Sequence, residues 1–284
     1  MALLREFCVD GLILDYQNPS SDQDPSKAAI ASAFPLVIQA AAAHNLSWAV
    51  MYDTSSKGAD WGRNDPTVVQ DWTEIMQLAA DFRNQTLRDS AGNSMFFAFG
   101  PTPMPAADAR CEKCAFYSQD GRDQGRSTAP GEHGAFAWIE PKAPSSYLPG
   151  FYEGGPGAHF PHTVLHFQKC SRPLTLSAGK CAKMYPDAPT PCVGIAYAGF
   201  KAVYPQYGSI ARSPALLRST LDLCATNRVG VCQIATWNDY NEGTHIQPSW
   251  WCDTAPKPES FLEVIRDFKL RQARASAELT NPDD

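Results

Sequence analysis

The chain has 284 residues, of which 44% are hydrophobic and 19% charged, with 24 basic side chains against 30 acidic. A folded chain of this length buries about three quarters of its unfolded surface, and the composition excludes a disordered polymer. A net charge of −6 argues against a nucleic-acid or anionic-membrane partner, since both need a basic surface.

Met1 to Phe7 reads as the end of an amphipathic helix rather than a signal peptide, because Arg5 and Glu6 fall where an apolar region would be. The first apolar strand follows, Gly11 to Tyr16, with Asp15 near its end. Asp24-Pro25-Ser26 opens a helix to about His44 that Pro35 should kink. A second strand covers 46–53 and ends in Asp53. From Pro66 to about Leu87 the spacing predicts a helix with Val69, Trp72, Ile75, Met76, Ala79 and Phe82 on its apolar side. Strands are expected at 95–100, 134–139, 163–167, 192–197 and 231–237. Residues 101–132 are polar and rich in proline and glycine, and read as a long loop or insertion. Ser213-Pro214 caps a helix to about Asn227, and a closing helix covers 259–275.

Apolar strands alternating with helices, buried on both faces, predict a parallel sheet. Acids and aromatics recur at the strand ends: Asp15, Asp53, Glu140, Tyr197 and Trp237. In a (β/α)8 barrel that face carries the chemistry. No glycine-rich phosphate loop follows any strand, so a nucleotide cofactor is not expected.

Nine cysteines are many for a reducing compartment. Cys8, Cys192, Cys224 and Cys232 lie in apolar stretches and read as buried hydrophobes. Cys111, Cys114, Cys170 and Cys181 lie in polar loops, where disulfides are expected. Their spacing does not fit a zinc site, and His159, His162 and His166 lack a helix to align them, so no metal is expected. The acceptor triplets Asn45-Leu-Ser47 and Asn84-Gln-Thr86 add to the case for a secreted glycoprotein.

Residues 236–249 carry the densest polar cluster, with Asp239 and Glu242 three positions apart. A straight strand would point them to opposite faces, but Gly243 and the polar run predict a turn that brings both carboxyls to one cleft. Two carboxylates flanking a bond are the apparatus of glycoside hydrolysis. Trp237-Asn-Asp-Tyr-Asn-Glu-Gly-Thr-His-Ile-Gln-Pro248 resembles the last-strand signature of glycoside hydrolase families 71 and 99, the endo-α-1,3-glucanases and endo-α-mannosidases. Val9 to Tyr16 resembles the second-strand segment of the same group. The resemblance implies a (β/α)8 TIM-type barrel spanning 1–284 as a single catalytic domain without a cofactor, acting on an α-linked polysaccharide or glycan. Glu242 matches the family 99 general acid/base, and Asp239 the carboxylate that deprotonates the substrate's own 2-hydroxyl. Asp in place of the family's Glu shortens that arm by one methylene, which leaves a water-activating role equally open.

Asp15, Asp53, Glu140, Trp237, Tyr240, His245 and Tyr197 are the candidate substrate-binding residues. His245 is expected to hydrogen-bond behind the reacting groups. Two other readings are a catalytically inactive carbohydrate-binding barrel and a relative that transfers sugars. The strands number seven, and the first resembles the family's second. The expectation is therefore a barrel lacking its first strand and most of its first helix, with an open seam.

Overall fold

The computed structural model describes residues 1–16, 25–53, 66–99, 113–119, 132–136, 138–139, 192–201, 203, 208–226, 229–248 and 259–280. Seven strands form one sheet: β1 (Gly11–Tyr16), β2 (Ser47–Asp53), β3 (Ser94–Phe99), β4 (Cys114–Gln119), β5 (Glu132–Phe136), β6 (Cys192–Tyr197) and β7 (Val231–Ala235). They pair in sequence order, every neighbour parallel. The helices are α1 (Ala2–Glu6), α2 (Pro25–Ala43), α3 (Pro66–Asp81), α4 (Pro214–Thr226) and α5 (Glu259–Thr280). The architecture is a nearly closed parallel barrel of the (β/α)8 type, and no described helix is long and apolar enough to cross a membrane.

Strand alternation builds two apolar layers. One face carries Ile13, Met51, Met95, Phe97, Ala115, Tyr117, Phe136 and Val193, which pack on one another inside the barrel. The opposite face carries Tyr16, Val50, Tyr52, Phe96 and Phe116, which pack against Phe34 and Ile38 of α2 and Val68, Trp72 and Ile75 of α3. On this parity Asp15 and Asp53 lie on the interior face at the C-terminal ends of β1 and β2.

The edge strands differ from the middle ones. Residues 11–14 of β1 are half-buried and Asp15 is exposed, whereas nearly all of β2 and β3 is buried. Among the described residues no ladder joins β1 to β7. Leu4, Ala41 and Leu46 pack there with Met1, Val9, Leu12 and Trp237 instead. Phe7, Leu3 and Val9 also meet the apolar side of α5, with Arg266 over the Phe7 ring at 5.5 Å.

Several boundaries differ from the sequence expectation. The stretch 101–132 contains β4, which lies between β3 and β5 in the sheet. β5 covers 132–136 rather than 134–139. The strand expected at 163–167 and the histidines at 159, 162 and 166 lie outside the described residues. α2 continues through Pro35. α3 stops at Asp81, because Thr86 bridges to Trp48 and the Leu87 N–H donates to the Trp48 carbonyl. Its inward side carries Val68, not Val69, together with Asp71, which is fully buried and accepts a hydrogen bond from the Tyr52 hydroxyl at 2.8 Å. Ser213 caps α4 as expected, its Oγ accepting from the Leu216 N–H at 3.1 Å.

Cys224 and Cys232, read as separate buried hydrophobes, form a disulfide across eight positions that ties the end of α4 to β7. Cys114 is also disulfide-bonded, and Cys8 is a free thiol. Closing so short a loop limits the unfolded chain and contributes about 2–3 kcal/mol. Replacing both Cys224 and Cys232 by Ala should lower the calorimetric Tm by roughly 5 °C. An unchanged Tm would show that the bond does not hold the helix to the strand.

Candidate active site

β7 ends at Ala235, and the chain then folds back on itself; the Ala235–Thr236 peptide is cis. The Thr236 N–H donates to the Thr244 carbonyl at 3.3 Å, and the Ile246 N–H donates to the Thr236 carbonyl at 3.0 Å. The two threonine hydroxyls share a 2.7 Å hydrogen bond. Within the turn the Asp239 N–H donates to Thr236 Oγ1 at 3.0 Å, and the Glu242 N–H donates to Asp239 Oδ1 at 3.0 Å. The segment is thus an Asx-type turn written by threonine and aspartate side chains, and it sets Asp239 and Glu242 on one short bend.

The bend is also anchored from outside. The Lys201 N–H donates to the Glu242 carbonyl at 2.7 Å and the Val203 N–H to the Asn241 carbonyl at 3.1 Å. Gly243 adopts φ +62°, and a Cβ there would stand 3.2 Å from the Lys201 carbonyl oxygen. Left-handed backbone together with this close approach explains the glycine.

Burial, Asp239 and Asp53, in that order, push the Glu242 carboxyl up to about 7. Desolvation and like charge both disfavour its ionised form. Asp53, at the end of β2 on the interior-facing parity, is the smallest of the three contributions to that rise. A carboxyl held near neutrality is suited to donating a proton. Asp239 uses one oxygen for the turn.

The other expected residues are distributed unequally. Asp15, one residue before the end of β1, is exposed on the interior-facing parity. Tyr240 is 47% exposed, the most open large aromatic of the turn, and its ring stacks on His245 with centroids 4.2 Å apart. His245 is buried, and burial followed by the nearby Arg212 charge pushes its imidazole below the usual value. Trp237 packs into the β1–β7 seam with Val9 and Leu12, so its ring supports the turn from behind. Tyr197 is fully buried with Ile195, Phe200, Ile210 and Ala235, and burial pushes its phenol up to about 12; it is part of the packing. Glu140 lies outside the described residues. Among the described residues, no group of three His, Cys, Asp or Glu side chains is arranged to hold a metal ion. Arg212, 33 positions before His245 and hydrogen-bonded to it, carries no signal in the sequence that would have selected it.

No sequence-family profile matches the chain, and no curated protein matches it significantly. Solved structures do. The endo-α-mannosidase of glycoside hydrolase family 99 from Bacteroides thetaiotaomicron superposes with a TM-score of 0.63 at 14% identity, over 97% of this chain and 83% of that one. A second structure of the same enzyme gives the same TM-score over 96% and 79%. The chain shares the fold of that enzyme. At this identity the likeness is one of architecture, and the residues of the turn speak for themselves.

The raised Glu242 pKa has a consequence for stability. Between its ordinary value of 4.5 and about 7, the folded state holds a proton that the unfolded state has released. Stability therefore declines as pH rises through this window. Glu242→Gln should give a higher Tm than the parent at pH 8, with the gap closing towards pH 4. Equal Tm values at pH 8 would contradict the raised pKa.

Proposed function

We propose that this chain is a glycoside hydrolase that cleaves α-glycosidic bonds within a polysaccharide or glycan, its residues 1–284 forming one catalytic barrel. The observation that carries the reading is the pair on the exit turn of β7: a carboxyl raised to about 7 beside a second carboxylate. Glu242 protonates the departing glycosidic oxygen, and Asp239 acts as the base. Asp53 and Asp15, at neighbouring strand ends, accept hydrogen bonds from sugar hydroxyls. Tyr240 offers its open face to a sugar ring, with His245 supporting the ring beneath it. A relationship to families 71 and 99 is supported by the motif Trp237 to Pro248 and, separately, by the shared barrel. The substrate class follows from that relationship: α-1,3-glucan or an α-mannoside. The Cys224–Cys232 disulfide is compatible with an oxidising, extracellular setting.

The test is product analysis after incubation with α-1,3-glucan and α-mannan. New reducing ends from internal cleavage are expected. Above pH 7 kcat/KM should fall by about tenfold per unit, as the general acid loses its proton. Glu242→Gln should lower kcat at least about 10²-fold, and Tyr240→Ala should raise KM with a smaller change in kcat. A Glu242→Gln variant with near-parent turnover would overturn the assignment.

A further inference from the structure

Arg212 lies well outside the motif that carries the carboxylates, yet it is tied to them through His245. After β6 the chain runs out and returns: the Phe200 N–H donates to the Ile210 carbonyl at 3.0 Å, and the Ile210 N–H to the Phe200 carbonyl at 2.7 Å. The Ser213 N–H donates to the Ala198 carbonyl at 2.8 Å. At Gly199 a Cβ would stand 2.6 Å from Arg212 Cα, so only glycine lets the two segments lie this close. The same excursion supplies the Lys201 and Val203 N–H groups that hold the Glu242 and Asn241 carbonyls. Arg212 therefore springs from the scaffold that already clamps the catalytic bend.

Its guanidinium is used on three sides. Nη1 donates to His245 Nε2 at 3.2 Å. Nη2 donates to the His245 carbonyl. The group lies over the Phe261 ring of α5, 4.6 Å from its centroid. His245 in turn stacks on Tyr240 at 4.2 Å with an interplanar angle of 31°. Tyr240 is the residue between Asp239 and Asn241, two before Glu242. A column runs from the closing helix through Arg212 and His245 to the exposed ring on the carboxylate bend.

We propose that Arg212 is a positioning residue for the carboxylate pair: by fixing the ring and carbonyl of His245, it sets where Asp239, Tyr240 and Glu242 stand. The inference rests on the hydrolase reading for its kinetic consequence and on the geometry alone for its structural one. Arginine only donates, so Nε2 of His245 must accept and the ring proton sits on Nδ1. The fork of the guanidinium reaches a ring nitrogen and a carbonyl at once, which a lysine ammonium on its flexible stem does not reproduce. Among the described residues, the charged and titratable groups shown around the imidazole are Arg212, Asp239 and Tyr240. Arg212 favours the neutral ring, and Asp239 opposes it.

The test uses Arg212→Lys and Arg212→Met in the full chain, with two readouts. Nitrogen-15 histidine spectra of the parent should show neutral His245 with the proton on Nδ1. In Arg212→Met that tautomer should lose its dominance and the imidazole pKa should rise. With a cleavable glycan, kcat should fall about 10–100-fold while KM changes less than about twofold, as expected when reacting groups are displaced slightly. Arg212→Lys, which keeps the charge, should fall between the two. It also serves if the Met variant does not fold. An unchanged tautomer, or a folded variant with parent kcat, would overturn the inference. A parent without turnover on every glycan would count against the hydrolase reading, and the tautomer of His245 would then decide the role of Arg212.

Discussion

Three carboxyl groups share the mouth of this barrel, and keeping them there is the constraint that the surrounding structure answers. Asp53 arrives at the end of β2, while Asp239 and Glu242 arrive on the bend after β7. Water would separate such charges. Here a hydrogen-bonded bend holds Asp239 and Glu242 three positions apart, and burial with the two neighbouring carboxylates pushes the half-buried Glu242 carboxyl up to about 7. The proposed general-acid role of Glu242, the pH limit expected on activity and the stabilisation expected from a neutral glutamine all follow from that crowding.

Backbone hydrogen bonds hold the bend that carries two of these carboxyls. Asp239 spends one carboxyl oxygen on the Glu242 N–H, and the β6 excursion supplies two further donors to the carbonyls of the bend. The parallel sheet brings these segments within reach, since β6 and β7 are paired over five residues from Val193↔Val231 to Tyr197↔Ala235. The disulfide between α4 and β7 fixes the same corner from the outer side. Behind β2, the Tyr52–Asp71 hydrogen bond holds the strand end to α3, while Asp53 faces inward one residue later.

Much of this was legible in the sequence, for physical reasons. Strands buried on both faces read as apolar runs, and most of the strands placed that way match. The bend was legible because a glycine and two acids directly after an apolar strand have few structural uses. β4 escaped because its apolar centre, Ala115-Phe-Tyr117, is only three residues long and lies between polar, proline-rich flanks. Its strand character comes from pairing with β3 and β5. Trp237 and Tyr197 sit at strand ends as expected, but packing draws their rings into the seam and the core rather than the mouth. Arg212 and the Cys224–Cys232 bond are tertiary facts: each joins two segments whose own patterns are ordinary.

The chemistry proposed for this mouth turns on the proton of Glu242. A carbon-13 titration of the glutamate carboxyls, assigned with Glu242→Gln, reads it directly. One carboxyl is expected to titrate near 7 and to move down in Asp53→Asn, since removing a neighbouring negative charge favours ionisation. A Glu242 carboxyl titrating in the ordinary range near 4.5, indifferent to Asp53, would contradict it.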